Sequence, residues 1–179
     1  MKRLAALALA VSLVAAPALA QTRPTPPGAR PPLPAITECD QEASRKAIVG
    51  GAETQLNAVQ AYMEAYGAYS EAAATWKTDQ MVAKGAWTEA DREAFGKSLL
   101  EDKTFTAMTD ANLKEVEKLL ALLTPFIESL TAGDETKTCR ALVDFMGAAY
   151  QVVDSTEKQW RYLDGKIEAA ARAKGVTLD

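Results

Sequence analysis

Residues 139–170 read CRALVDFMGAAYQVVDSTEKQWRYLDGKIEAA. Leu142, Phe145, Met146, Ala149, Val153, Thr156, Trp160, Leu163, Ile167 and Ala170 recur there at steps of three and four. At 3.6 residues per turn these positions share one face of an α-helix. Asp154–Lys158, Glu157–Arg161 and Glu168–Arg172 stand four apart on the outer surface, in the acid-first order that supports a helix. Gly133-Asp134 marks the stop before this helix and Gly175 its end. A helix with so long an apolar face needs other helices to bury it.

The preceding chain supplies them. From Thr37 to about Lys84, Ile48, Ala52, Val59, Tyr62, Tyr66, Tyr69, Ala73 and Trp76 fall in one arc. Thr37 and Asp40 have the spacing of an approximate capping box. Gly50-Gly51 and Gly67 weaken this helix locally, and Lys84-Gly85 is its expected stop. Thr88 opens a second segment, with Glu89 and Asp91 placed to favour the positive end of a helix. That segment carries Phe95, Leu99 and Leu100, and its pattern dissolves around residues 104–109. A third segment starts at Thr109 or Asp110. In it Leu113, Val116, Leu120, Leu123, Ile127 and Leu130 keep strict 3-4 spacing, the coiled-coil pattern of a bundle seam. Pro125 lies inside and is expected to kink or split the helix. Strand signals are nearly absent.

The two cysteines convert this inventory into a topology. Cys39 and Cys139 stand one hundred positions apart, and a disulfide needs their Cα atoms within ~7 Å. The first and last helices must then start at the same end. An up-down-up-down four-helix bundle would place those starts at opposite ends. The expected fold is all-α: an elongated antiparallel three-arm helical bundle, its middle arm broken into two helices near residues 104–109, closed by one disulfide.

The N-terminus predicts an address. Lys2 and Arg3 precede an uncharged apolar run from Leu4 to Ala16, and Pro17 precedes the small-x-small site Ala18-Leu19-Ala20. This is the arrangement of a cleaved signal peptide, residues 1–20, and implies a secreted, periplasmic protein without a membrane span after cleavage. Residues 21–36 hold six prolines, favour extended polyproline II, and read as a proline-rich spacer. Residues 37–179 form the helical domain.

Composition excludes much chemistry. After cleavage, 18 basic side chains face 24 acidic ones, a balance that disfavours nucleic acid and anionic membrane surfaces. The chain has no histidine, which removes the commonest general base, His-dependent triads and Glu-x-x-His metal sites. No Cys-x-x-Cys and no phosphate-binding loop occurs. The acids Glu89, Asp91, Glu93, Glu101 and Asp102 lack the residue order of a calcium loop and read as helix-start acids on a solvated face. No catalytic residue, metal site or cofactor is expected.

The best functional hint is a stripe of aromatics: Tyr62, Tyr66, Tyr69 and Trp76 on the first helix, with Tyr150, Trp160 and Tyr162 on or near the seam of the last. Such residues ordinarily build cores. The alternative is a groove for a small apolar ligand or a partner helix. The expectation is a non-enzymatic protein acting through protein–protein contacts with an envelope partner, as assembly factor, partner binder or holdase. A carrier of a small apolar ligand is the second reading. Oligomeric state stays open, since the 113–130 seam suits contact between protomers as well as an internal core.

Overall fold

A computed structural model describes residues 22–178; the signal peptide read over residues 1–20 lies outside the described residues. The chain is an all-α helical bundle with one disulfide. A 3-10 turn, Ile36–Asp40, leads into α1 (Glu42–Gly50), α2 (Ala52–Ala83), α3 (Glu89–Glu101), α4 (Lys103–Thr131) and α5 (Glu135–Ala173). Among the described residues there is no strand, and no helix is long and apolar enough to cross a membrane.

Three glycines stop helices as their position in sequence predicts. Gly85, Gly133 and Gly175 have φ of 68°, 68° and 71°, the left-handed conformation that glycine adopts without a Cβ penalty. Thr88 and Asp91 form a true capping box: the Asp91 amide donates to Thr88 Oγ1 at 3.2 Å, and the Thr88 amide donates to Asp91 Oδ2 at 2.8 Å.

Four boundaries differ from expectation. The first arm is divided at Gly51, where two consecutive glycines make continuation least favourable. Its first turn is capped by Glu38, whose carboxylate accepts from the Ala35 amide at 2.9 Å, while Asp40 is taken by Arg140 at 2.6 Å. The middle arm breaks at Asp102, ahead of residues 104–109. Asp102 has an extended backbone, and its Oδ1 accepts the amides of Thr104 and Phe105 at 2.9 and 3.1 Å, restarting the helix at once. The threonines that blur the pattern there are tolerated because a hydroxyl can turn back on its own helix, as Thr109 does onto the Phe105 carbonyl at 3.0 Å. Finally, α4 runs through Pro125 without splitting. Pro125 and Ala121, four residues earlier, are exposed, so the carbonyl that loses its donor faces water.

The chain forms two compact units, to both of which α2, α4 and α5 contribute. The disulfide unit comprises residues 27–66 and 111–156. Cys39 and Cys139, with Cα atoms 5.7 Å apart, tie the 3-10 turn to the first turns of α5. Around them pack Ile48, Val59, Phe126, Leu142, Met146 and Val153, among others. Leu142 and Met146 are fully buried, each worth about 1.5–3 kcal/mol relative to an exposed position. Here α4 and α5 run antiparallel: Asn112 Nδ2 donates to Ser155 Oγ and Thr156 Oγ1 at 2.8 and 2.9 Å, and at the other end Thr138 Oγ1 donates to the Ser129 carbonyl at 2.8 Å.

Of the described residues, the second unit comprises 22–26, 67–110 and 157–178. Tyr69 meets Trp160, Lys77 pairs with Asp164 and Glu168, and Lys84 donates to the Thr177 carbonyl. These contacts advance together along α2 and α5, so the two helices run in the same direction. Asp79 pairs with Arg92 of α3, and Asp102 at the end of α3 meets Tyr162 and Lys166. Met81, Trp87 and Ala171 form one core cluster, with the Trp87 and Phe95 rings 5.0 Å apart. Two of the three helical ion pairs read from sequence are redirected by this packing. Glu157–Arg161 forms at 2.7 Å, whereas Asp154 pairs with Arg30 and Glu168 with Lys77.

Candidate functional site

The aromatic stripe is divided between the two units. In the disulfide unit Tyr62 and Tyr66 are half-buried with ring centroids 6.3 Å apart, and Tyr150 is buried. Burial pushes the Tyr150 hydroxyl pKa up, against an opposing effect of the Arg30 guanidinium. That hydroxyl donates to the Pro31 carbonyl at 2.6 Å, and Arg30 lies 4.9 Å from the ring centroid while pairing with Asp154. The proline-rich segment is thus attached to α5 at Arg30 and Pro31. In the second unit Tyr69 packs edge-on against the buried Trp160, with centroids 6.1 Å apart, and Trp76 is buried.

The disulfide unit also contains an open cleft of about 510 Å³. Pro31, Leu33 and Pro34 line one side, and Ile48, Gln55 and Met146 line the other. None of the aromatics of that stripe lines it. Gln55 Oε1 is buried there without a hydrogen-bond partner, an acceptor that a donor on a bound molecule would satisfy. Sequence reasoning missed this cleft because one wall is the proline segment, whose docking no helical periodicity reports.

The largest departure lies on α4. Its strict 3-4 stripe does not form the seam. Leu120, Leu123, Ile127 and Leu130 are 62%, 41%, 52% and 52% exposed, and Leu113 and Val116 are half-buried. The inward face is the same ladder moved back by one residue. Asn112 bonds α5, Leu119 packs on the core, Glu115 and Leu122 are half-buried, and Phe126 and Ser129 are buried. One residue is a 100° turn about the helix axis, so the unbroken apolar ladder faces outward. No charged residue occurs from Leu119 to Ile127.

The polar clusters of the second unit hold the fold together. Asp102 Oδ2 accepts from Lys166 Nζ and the Tyr162 hydroxyl, both at 2.8 Å. Lys166, the Phe105 amide and Tyr162 hold its carboxyl well below the usual carboxylate range. A carboxyl whose folded pKa is depressed stabilises above its unfolded value, about 4, and that contribution is lost as pH falls below it. Asp102→Asn is therefore expected to flatten the acid limb of stability, the wild-type protein losing more between pH 4 and pH 2.5 than the variant in urea unfolding. Burial pulls the Lys77 pKa down, but its ammonium donates to the carboxylates of Asp164 and Glu168, whose bonds and charges outweigh this and raise it. Three of the acids read from sequence as helix-start acids on a solvated face have local partners. Asp91 caps α3, Glu93 pairs with Lys97 at 2.7 Å, and Asp102 caps α4. Among the described residues no three acidic or cysteine side chains converge on a metal-sized site.

These features define the class: an all-α, disulfide-closed bundle with an apolar outer stripe. Compared with protein-family models, curated protein sequences and solved structures, the chain matches none.

Proposed function

We propose that this protein is a non-enzymatic periplasmic bundle protein that works by protein–protein contact, and that the outer stripe of α4 is its contact surface. The observation that carries this reading is the exposure of Leu120, Leu123, Ile127 and Leu130 on one helix face. Leaving four large aliphatic side chains in water forgoes several kcal/mol of burial, and docking a partner helix recovers it. The buried Cys39–Cys139 disulfide suits an oxidising compartment, in keeping with the signal-like leader.

The second reading, a carrier of a small apolar ligand, is favoured by the proline-lined cleft and its orphaned Gln55 acceptor in place of the aromatic groove. A volume of about 510 Å³ suits a small molecule with an apolar body and one N–H or O–H donor.

One experiment separates the two. The protein is crosslinked in intact cells, recovered with its complexes, and compared with a Leu123→Lys/Ile127→Lys variant. The contact reading expects protein adducts that the variant loses, on a chain beginning at Gln21. Adducts that are absent, or that the variant keeps, would overturn it. The carrier reading expects instead a small-molecule mass on the uncrosslinked protein that Ala58→Phe, which narrows the cleft, removes.

A further inference from the structure

The outward ladder on α4 has a property that a surface for an arbitrary partner does not require. Its spacings, from Leu113 through Val116, Leu120, Leu123 and Ile127 to Leu130, run 3, 4, 3, 4, 3, and this series is the same read in either direction. A two-fold axis between Leu120 and Leu123 therefore sets every member opposite another apolar member. Leu120 meets Leu123 of the second copy, Val116 meets Ile127, and Leu113 meets Leu130. We infer that the stripe binds a second copy of this chain, with the two α4 helices antiparallel about that axis. The inference rests on the stripe being a contact surface and names its occupant.

Three further observations favour self-pairing. An isologous contact needs one self-complementary patch, and the four exposed members are all Leu or Ile, able to interdigitate as knobs into holes. The centre of the patch is uncharged from Leu119 to Ile127, so two copies of an acidic protein meet where like-charge repulsion is least. The area is also appropriate to a modest dimer. With the neighbouring exposed Ala121, Thr124 and Pro125, two copies would bury on the order of 1,000 Å² in all, the size of a reversible pairing. A lipid surface is disfavoured because an interfacial helix is rich in Lys and Arg on its polar face, whereas Glu115, Glu117 and Glu128 outnumber Lys114 and Lys118 here.

Sedimentation of the purified protein between about 1 and 100 μM is expected to show a monomer–dimer equilibrium with a micromolar midpoint. Leu123→Lys/Ile127→Lys is expected to abolish the dimer while its helical circular dichroism and thermal midpoint stay close to wild type, since both positions are exposed. Orientation is read with Leu113→Cys and Leu130→Cys. These sites are 17 residues, about 25 Å, apart along the helix. In the antiparallel pair each variant alone stays uncrosslinked, and an equimolar mixture forms the 113–130 intermolecular disulfide.

A wild-type monomer throughout that range, or a dimer that the lysine variant keeps, overturns the inference. Efficient crosslinking of each cysteine variant with itself means a parallel pair and overturns the arrangement. A wild-type monomer whose stripe-dependent crosslinks to other proteins persist in cells leaves the contact function standing, so the two failures are distinguishable.

Discussion

Replacing Cys39 and Cys139 together by alanine is expected to lower the unfolding free energy by about 3–5 kcal/mol. The bond closes a loop with a sequence separation of 100, and the chain-entropy argument assigns about 4–5 kcal/mol to a loop of that length. Both cysteines are fully buried, so the alanines also leave a small void, which adds to the loss. Two ion pairs in the same region work against it. Arg140–Asp40 at 2.6 Å and Arg45–Glu135 at 3.7 Å still draw the 3-10 turn and α1 toward α5, but the first is exposed and contributes only about 0–1 kcal/mol, and the second is long, with Glu135 exposed. Urea unfolding of the oxidised wild type and the double variant measures the difference. Amide exchange should place the loosening in residues 36–50 and 135–146. A loss below about 1 kcal/mol would mean that packing alone holds these ends together, and that the disulfide does not set the relation between α1 and α5.

Asp79→Ala is expected to cost a similar amount, about 3–5 kcal/mol, through the second unit. Arg92 is 2% exposed, and its guanidinium lies 2.8 Å from Asp79 Oδ1. A second carboxylate, that of Glu89, stands 3.7 Å from it but is itself largely exposed. Removing Asp79 leaves a buried cation with weak compensation, the situation in which a lost partner costs most. Burial pushes the Asp79 pKa up and the Arg92 charge only partly offsets this, so the site bears a desolvation cost even when intact. The control follows from that cost: Asp79→Leu/Arg92→Met removes both charges and is expected to be near neutral. A double variant as unstable as Asp79→Ala would show that the loss comes from shape and not from the stranded charge.

The sequence alone was enough for what depends on neighbours along the chain. The helical ladder of 139–170, the stops at Gly85, Gly133 and Gly175 and the Thr88 capping box are short-range consequences of side-chain period and backbone freedom. The disulfide pairing followed because only two cysteines exist, and with it the common starting end of the first and last arms. The break in the middle arm was expected too late, because a capping aspartate at 102 left a clearer physical mark in hydrogen bonds than in periodicity.

Packing decided what lies at right angles to the chain. Two adjacent ladders on α4 compete to face the core: 112, 115, 119, 122, 126 and 129, of which Asn112, Glu115 and Ser129 are polar, or 113, 116, 120, 123, 127 and 130. Hydrophobic pattern favours the second, which contains no polar member. Tertiary structure selects the first, because Asn112 finds two hydroxyls on α5 and the Ser129 carbonyl accepts from Thr138. Phe126 stacks on Phe145, with centroids 5.5 Å apart. The cleaner ladder was thereby left outside. Helix formation is a local matter, so residues 103–131 state it plainly; which side of that helix faces inward depends on partners on another helix, at separations from 9 to 44 residues, and only the folded chain brings them together.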